Sequence, residues 1–174
     1  VTNIVAVIRY ANGTSYNFAS LADAVAAAVA GDTVTLVKDV EISAPIVIAN
    51  DITINGNDKT ITYTGTDRAI TVESSANGAD LTINNLNVVA TKAQRGINYN
   101  EDGKLTLEGV TVKGTNVTYA VNLPGSSDNA TVTINNSNLT GNIALNVWGE
   151  NATITATGSV FPSVDNNTVE NYTA

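Results

Sequence analysis

Residues 81–123, LTINNLNVVATKAQRGINYNEDGKLTLEGVTVKGTNVTYAVNL, contain the same short segments twice in succession. The segment Leu81–Asn84 (LTIN) returns as Leu105–Glu108 (LTLE), and Gly96–Tyr99 (GINY) returns as Ala120–Leu123 (AVNL). Apolar residues alternate with polar ones in each segment, which is the pattern of a β-strand with one buried face. A repeat of fixed period is typical of a solenoid, whose stacked turns bury a continuous core.

Three such segments recur along most of the chain. The first segment begins at Ile52, Leu81, Leu105, Val132 and Ile154, at spacings of 29, 24, 27 and 22 residues. The second contains an apolar residue at Ile46, Ile70, Ile97, Val121 and Leu145. The third has its inward residue at Ile61, Val88, Val112, Leu139 and Phe161. Three strands in each period predict a single-stranded, right-handed parallel β-helix of about five or six coils, stacked about 4.8 Å apart.

The residue that follows each first segment supports this fold. Glycine or asparagine occupies that corner in every copy, at Gly56, Asn85, Gly109, Asn136 and Gly158. Because these two residue types best tolerate positive φ, we expect a left-handed residue at the same corner of each coil. Asn55, Asn84 and Asn135 precede that corner, and the sequence suggests that their amides stack as a ladder.

Charge and composition exclude several classes of function. The formal net charge is −8, and the eight basic residues are scattered, which argues against nucleic acid and anionic membranes as partners. The chain has no histidine and no cysteine, so catalysis by imidazole or thiol and the usual zinc sites are excluded. No apolar run reaches the roughly 18 residues of a membrane span, and we expect no membrane insertion.

We expect one domain over residues 1–174, divided into an N-terminal cover (1–31), the coils (32–161) and a C-terminal tail (162–174). Residues 4–10 and 15–18 predict a hairpin. Ser20 is a suitable N-cap for a helix that ends at Gly31 and buries Leu21, Val25, Ala28 and Val29 against the first coil. At the other end, Phe161, Val164, Val169 and Tyr172 are candidates to cover the last coil. Otherwise the chain continues into a further module of a larger multidomain protein.

The segments 20–25 (SLADAV) and 31–40 (GDTVTLVKDV) resemble the capping helix, Gly-Asp turn and first strand of the pectin-lyase-like β-helix superfamily, especially its bacterial cell-surface, adhesin-like modules. The resemblance covers residues 19–161. It implies an extracellular location on a bacterial surface. Its motifs specify the architecture rather than an activity.

The same resemblance implies an enzymatic alternative, a polysaccharide lyase with an arginine base and bound Ca²⁺. Arg68 and Arg95 stand in successive coils in the alignment and would be the catalytic residues, with Tyr119 and Ile143 continuing their column. Candidate calcium ligands are Asp67, Glu73, Glu101 and Asp102. If this alternative does not hold, we expect no metal and no cofactor.

Glycoside hydrolysis and ice binding have weaker support in the residues. A glycoside hydrolase would need paired carboxylates, and Glu108, Asp128, Glu150 and Asp165 are isolated from one another. Ice binding would need a regular threonine array, and pairs such as Thr33/Thr35, Thr131/Thr133 and Thr153/Thr155 do not recur in every coil.

The prediction best supported by the sequence is a non-catalytic module, either structural or adhesin-like, that recognises a glycan or a host or cell-surface protein. The outer face of the second segment would carry Asn98, Asn122 and Asn146 as an exposed ladder. Its flanking residues are Arg95, Tyr99, Tyr119 and Trp148. Amides and aromatic rings are the groups with which proteins bind carbohydrate.

Overall fold

The computed structural model describes residues 3–10, 12–73, 78–114 and 116–161, together with the backbone of Val164–Asn166. In chain order the elements are β1 (Ala6–Arg9), β2 (Ser15–Phe18), α1 (Leu21–Ala27), β3 (Thr33–Leu36), β4 (Val40–Ile42), β5 (Ile46–Ile48), β6 (Ile52–Asn55), β7 (Thr60–Tyr63), β8 (Arg68–Val72), β9 (Leu81–Asn84), β10 (Asn87–Ala90), β11 (Arg95–Tyr99), β12 (Lys104–Glu108), β13 (Thr111–Gly114), β14 (Tyr119–Leu123), β15 (Thr131–Asn135), β16 (Asn138–Thr140), β17 (Ile143–Val147), β18 (Thr153–Thr157) and β19 (Val164–Asn166).

These strands form a parallel β-helix of about five turns, which confirms the predicted fold class. Each turn contributes one strand to each of three sheets. Sheet A runs in the order β2, β1, β3, β6, β9, β12, β15, β18; sheet B runs β4, β7, β10, β13, β16; and sheet C runs β5, β8, β11, β14, β17, β19. Neighbouring strands are parallel from β3 onward, whereas β1 pairs antiparallel with both β2 and β3.

The apolar core consists of columns of aliphatic side chains, one from each turn. On sheet A, Ile54 pairs with Ile83, Ile83 with Leu107, and Leu107 with Ile134, and all four are fully buried. Ile61, Val88, Val112 and Leu139 form the corresponding buried column of sheet B, as the sequence predicted, and Phe161 is half-buried against the core. Branched residues suit such columns because they pack tightly against like neighbours on a pleated surface.

The left-handed corner is confirmed in four of its five predicted positions. Asn85, Gly109, Asn136 and Gly158 have φ between 49° and 64°. The prediction for Gly56 was wrong, because Asn57 and Asp58 adopt the positive φ angles in that turn. Gly56 is required there for a different reason. A Cβ on Gly56 would lie 2.4 Å from the carbonyl oxygen of Asn85, so only glycine permits this close approach of two turns.

The N-terminal cover begins as predicted but its helix is shorter. The hairpin pairs β1 with β2, and the Ser20 side chain accepts a hydrogen bond from the Asp23 backbone N–H at 3.0 Å. The helix ends at Ala27, because the next residue, Ala28, is extended. Val29, predicted to be buried, is 57% exposed. The Asp32 carboxylate closes this turn by accepting from the Val29 N–H at 2.9 Å, which turns the chain into β3.

The C-terminal end is only partly described. The backbone of β19 continues sheet C beyond β17. The side chain of Val164, together with Val169 and Tyr172, which were predicted to cover this end, lies outside the described residues.

The buried columns predict a specific response to mutation. Leu107→Ala leaves a cavity between two neighbouring turns and should lower the free energy of unfolding by about 2–5 kcal/mol. Thr131→Ala, an exposed substitution on the same sheet, should change it by less than about 0.5 kcal/mol. Urea denaturation of both variants measures the difference, and equal losses would contradict the assigned inward face.

Candidate functional site

The predicted column of Arg68, Arg95, Tyr119 and Ile143 is present at the start of the sheet C strands. Arg95 pairs with Arg68 on one side and with Tyr119 on the other, and Tyr119 pairs with Ile143. The Arg95 guanidinium lies 5.4 Å from the centroid of the Tyr119 ring, which is a cation–π distance. We call Arg68, Arg95 and Tyr119 the arginine edge.

The two guanidinium groups are only partly neutralised. Arg68 forms an ion pair with Asp67 at 3.0 Å, whereas the guanidinium of Arg95 donates to the uncharged amide of Gln94 at 2.8 Å. The Nε atom of each arginine is buried and, in the part of the chain that the structure describes, has no hydrogen-bond partner. Burial, and then repulsion from Arg68, lower the pKa of Arg95 below its ordinary value. The arginine edge therefore concentrates positive charge on a chain with an excess of acidic residues.

The ladder of Asn98, Asn122 and Asn146 exists, but the prediction that it lies on an exposed face was wrong. These side chains are only 1–2% exposed. Asn122 donates to the Asn98 amide oxygen at 2.7 Å, and Asn146 donates to the Asn122 oxygen at 2.6 Å. Every residue after the first is buried in β8, β11, β14 and β17, so both faces of sheet C are covered there. The ladder holds the turns together and is not accessible to a ligand.

The two end members of this ladder, Asn98 and Asn146, differ in their hydrogen bonding. Asn98 donates to the Thr71 hydroxyl at 3.1 Å, and that hydroxyl donates to the Glu73 carboxylate at 2.7 Å. At the other end, the Asn146 amide oxygen is buried and has no hydrogen-bond partner among the described residues. The proposed ladder of Asn55, Asn84 and Asn135 is not formed by direct bonds among the described residues. Instead, Asn55 accepts from the Asn57 N–H at 3.1 Å.

The remaining predicted aromatic residues have opposite environments. Tyr99 is fully buried, and its hydroxyl donates to the Ala79 carbonyl at 2.9 Å, so it is a core residue rather than a surface contact. Burial raises the pKa of Tyr99 above its ordinary value, with further contributions from nearby carboxylates, first among them Asp80. Trp148 is 47% exposed and follows β17 at the far end of the strand from the arginine edge.

The carboxylates proposed as calcium ligands do not gather around the arginines. Asp67 is paired with Arg68, but Glu73, Glu101 and Asp102 follow the far ends of β8 and β11. A five-residue strand spans about 13 Å between its first and last residues, which separates them from the arginine edge. Within the described ranges, no three acidic side chains lie close enough to hold a metal ion.

Several aspartates instead bridge successive turns, a role that the sequence analysis did not anticipate. The carboxylates of Asp51, Asp80, Asp102 and Asp128 each accept from a backbone N–H one turn further on, at 2.7–3.1 Å. The donors are the N–H groups of Asp80, Lys104, Asn129 and Glu150. Glu108, named for glycoside hydrolysis, accepts from the Asn136 amide at 2.7 Å. The side chain of Asp165 lies outside the described residues.

The outer face of sheet A carries a threonine on every strand from β3 to β18. These residues are in register, in the order Thr33, Thr53, Thr82, Thr106, Thr133 and Thr155. The adjacent column is mixed and contains Thr35, Asn55, Asn84, Glu108, Asn135 and Thr157. The face is therefore a single threonine row rather than the two-dimensional array that ice binding needs.

Three surface cavities also lie at the N-terminal end of sheet A, where no sequence pattern indicates a site. The first, of about 630 Å³, is lined by Val7, Arg9, Tyr10, Ala30, Gly31, Asp32, Thr33 and Thr35. The second, of about 280 Å³, shares Gly31 with it, and the third, of about 260 Å³, shares Tyr10. The first and the third cavities include hairpin residues and depend on how the hairpin packs, which local sequence patterns do not reveal.

No protein-family model, curated protein or solved structure matches this chain. In the described ranges, no helix has the length and apolar character needed to cross a membrane.

The buried ladder predicts a loss of stability when its middle member is replaced. Asn122→Leu removes the donor to the Asn98 oxygen and the acceptor of the Asn146 NH2 group, and each of these unpaired buried groups should cost about 1–3 kcal/mol. The triple Asn98→Leu/Asn122→Leu/Asn146→Leu variant should lose less per substitution, because fewer polar groups remain unpaired. Urea denaturation distinguishes these results. An Asn122→Leu variant of unchanged stability would contradict the ladder.

The raised pKa of Tyr99 predicts that the protein becomes less stable at alkaline pH. The pKa of Tyr99 is raised in the folded state, so above about pH 10 the unfolded chain loses this proton while the folded chain retains it. The contribution of Tyr99 to the free energy of unfolding is therefore fully present below the ordinary tyrosine pKa. It declines as the pH rises through the pKa that Tyr99 has in the folded protein. In urea denaturation between about pH 9 and pH 11, the stability of Tyr99→Phe should decline less steeply than that of the unsubstituted protein. If the stability of Tyr99→Phe fell with pH as steeply as that of the unsubstituted protein, the raised pKa of Tyr99 would be contradicted.

Proposed function

We propose that this chain is a non-catalytic, adhesin-like module of a bacterial cell-surface protein, a β-helix of the pectin-lyase-like superfamily, and that it binds acidic carbohydrate at the arginine edge. The observation that carries the proposal is the register of Arg68 and Arg95 on adjacent strands, with an ion pair described at only one of them. Such a pair is costly without an anion, because the register places two like charges on adjacent strands whose backbones lie about 4.8 Å apart.

The chemistry of the edge fits a carboxylate attached to a sugar. A guanidinium presents a planar fork of donors that matches a carboxylate, and the Arg95 guanidinium donates to the uncharged Gln94 amide rather than to a carboxylate. Tyr119 extends the same column and offers an aromatic ring beside Arg95, against which the apolar face of a sugar ring can pack. Trp148 supplies a second exposed aromatic ring for a longer glycan.

The arrangement of acidic side chains favours binding over lyase chemistry. A calcium-dependent lyase would need carboxylates beside its arginine base. Here Glu73, Glu101 and Asp102 are bonded to Thr71, the Gly78 N–H and the Asn129 N–H respectively, at the opposite end of the strands. The lyase remains the second candidate because Arg68 and Arg95 occupy the predicted column.

Binding of a uronate oligosaccharide tests the proposal, with the methyl-esterified form as the uncharged matched ligand. The charged form should bind in calorimetry and the ester should bind at least tenfold more weakly, a difference of about 1.4 kcal/mol. Arg68→Gln/Arg95→Gln should lose this preference. Lys104→Gln/Lys113→Gln, which removes two exposed charges from sheets A and B, should retain it.

Three outcomes would contradict the proposal. Unsaturated sugar ends released in the presence of Ca²⁺ would establish the lyase alternative. Equal binding of the acid and the ester would remove the role of charge. No binding by folded protein would leave a structural spacer as the function.

A further inference from the structure

The three cavities at the N-terminal end of sheet A are neighbours that share lining residues, and we call them together the groove. Tyr10 lines both the 260 Å³ and the 630 Å³ cavities, and Gly31 lines both the 630 Å³ and the 280 Å³ cavities. The lining reaches from the β1–β2 hairpin across β3 and β6 to β9. Three steps between neighbouring strands correspond to about 14 Å, which is the scale of a short oligosaccharide.

The lining of this groove is rich in groups that bind hydroxyls. Thr33, Thr53 and Thr82 form its row of hydroxyl groups, and they are in register on β3, β6 and β9. Asp51 and Asp80 line the same part of the groove. A hydroxyl both donates and accepts hydrogen bonds, and a carboxylate accepts them, so together they match the hydroxyl groups of a sugar.

An aromatic pair lies at the hairpin end of the groove. The rings of Tyr10 and Tyr16 meet edge to face with centroids 5.3 Å apart. Tyr16 is 59% exposed, so its ring is accessible to a ligand. The exposed Tyr16 ring, supported edge to face by Tyr10, offers an apolar surface beside polar groups, which is the usual composition of a small-molecule site.

Acidic residues predominate in the groove, whereas basic residues predominate at the arginine edge. Asp32, Asp51 and Asp80 line it, against one basic residue, Arg9. An anionic ligand would be repelled here. Asp32 is also buried, with 7% of its surface exposed, and it is bonded to the Val29 N–H, so it fixes the shape of the groove rather than contacting a ligand freely.

We infer that this groove is a second binding site, specific for a neutral, hydroxyl-rich ligand such as an uncharged oligosaccharide. Tyr16 stacks against a sugar ring and Tyr10 supports it edge to face. The threonine row binds hydroxyls together with the Oδ2 atoms of Asp51 and Asp80, whose Oδ1 atoms accept from backbone N–H groups. This inference rests on the proposal that the chain is a carbohydrate-binding module, but it does not depend on the arginine edge.

The test is a titration of isotopically labelled protein with cellotriose, maltotriose and mannotriose, followed by amide chemical shifts. At least one of the three should shift the amides of Tyr10, Gly31, Thr33, Thr53 and Thr82. Tyr16→Ala should weaken that binding at least tenfold, and Tyr16→Phe should restore it, because the exposed ring can be changed without disturbing the core. Arg68→Gln/Arg95→Gln should leave it unchanged.

The outcomes separate the two sites. No shift in the groove with any of the three sugars, or equal binding by Tyr16→Ala, would overturn the groove as a neutral-sugar site. Loss of uronate binding in the arginine variant with intact neutral-sugar binding would support both sites independently. Neutral-sugar binding that disappears in the arginine variant would place it at the arginine edge and overturn the groove.

Discussion

The hydrogen-bonded register between successive turns is the constraint on which the rest of the structure depends. Each strand from β3 onward pairs in parallel with the strand one turn away, and the pairing keeps equivalent residues side by side. A shift by one residue would turn every apolar side chain to the opposite face. The register therefore determines the core columns, the corner residues and every surface column together.

Stacking of equivalent residues in successive turns stabilises some types of side chain and destabilises others. Apolar residues gain from stacking, and an asparagine amide gains because it donates to one neighbour and accepts from the next, as Asn122 does. Carboxylates are accommodated by bonding to a backbone N–H one turn away, as Asp80 does with Lys104. Arg68 and Arg95 have no comparable arrangement. Their column places two like charges on adjacent strands, which opposes stability and supports the proposed binding role.

The sequence was sufficient to predict the coils, because the spacing of residues such as Leu81 and Leu105 reflects the register directly. It failed where burial depends on packing between elements. Alternation implied an exposed face at Asn98, but both faces of sheet C are covered. Gly56 matched the corner pattern, yet its role is to permit close approach to the next turn. The groove beside Tyr10 arises from the docking of the hairpin, so no local pattern reveals it.

The most direct measurement is cross-linking of paired cysteines, which the natural absence of cysteine makes specific. Thr82 and Thr106 are partners in register, so their Cα atoms lie about 4.8 Å apart, within the range that a disulfide bridges. Thr82→Cys/Thr106→Cys should form an intramolecular disulfide on mild oxidation. Thr82→Cys/Glu108→Cys, displaced by two residues and about 8 Å apart, should not. Equal cross-linking of both pairs, or of neither, would contradict the register.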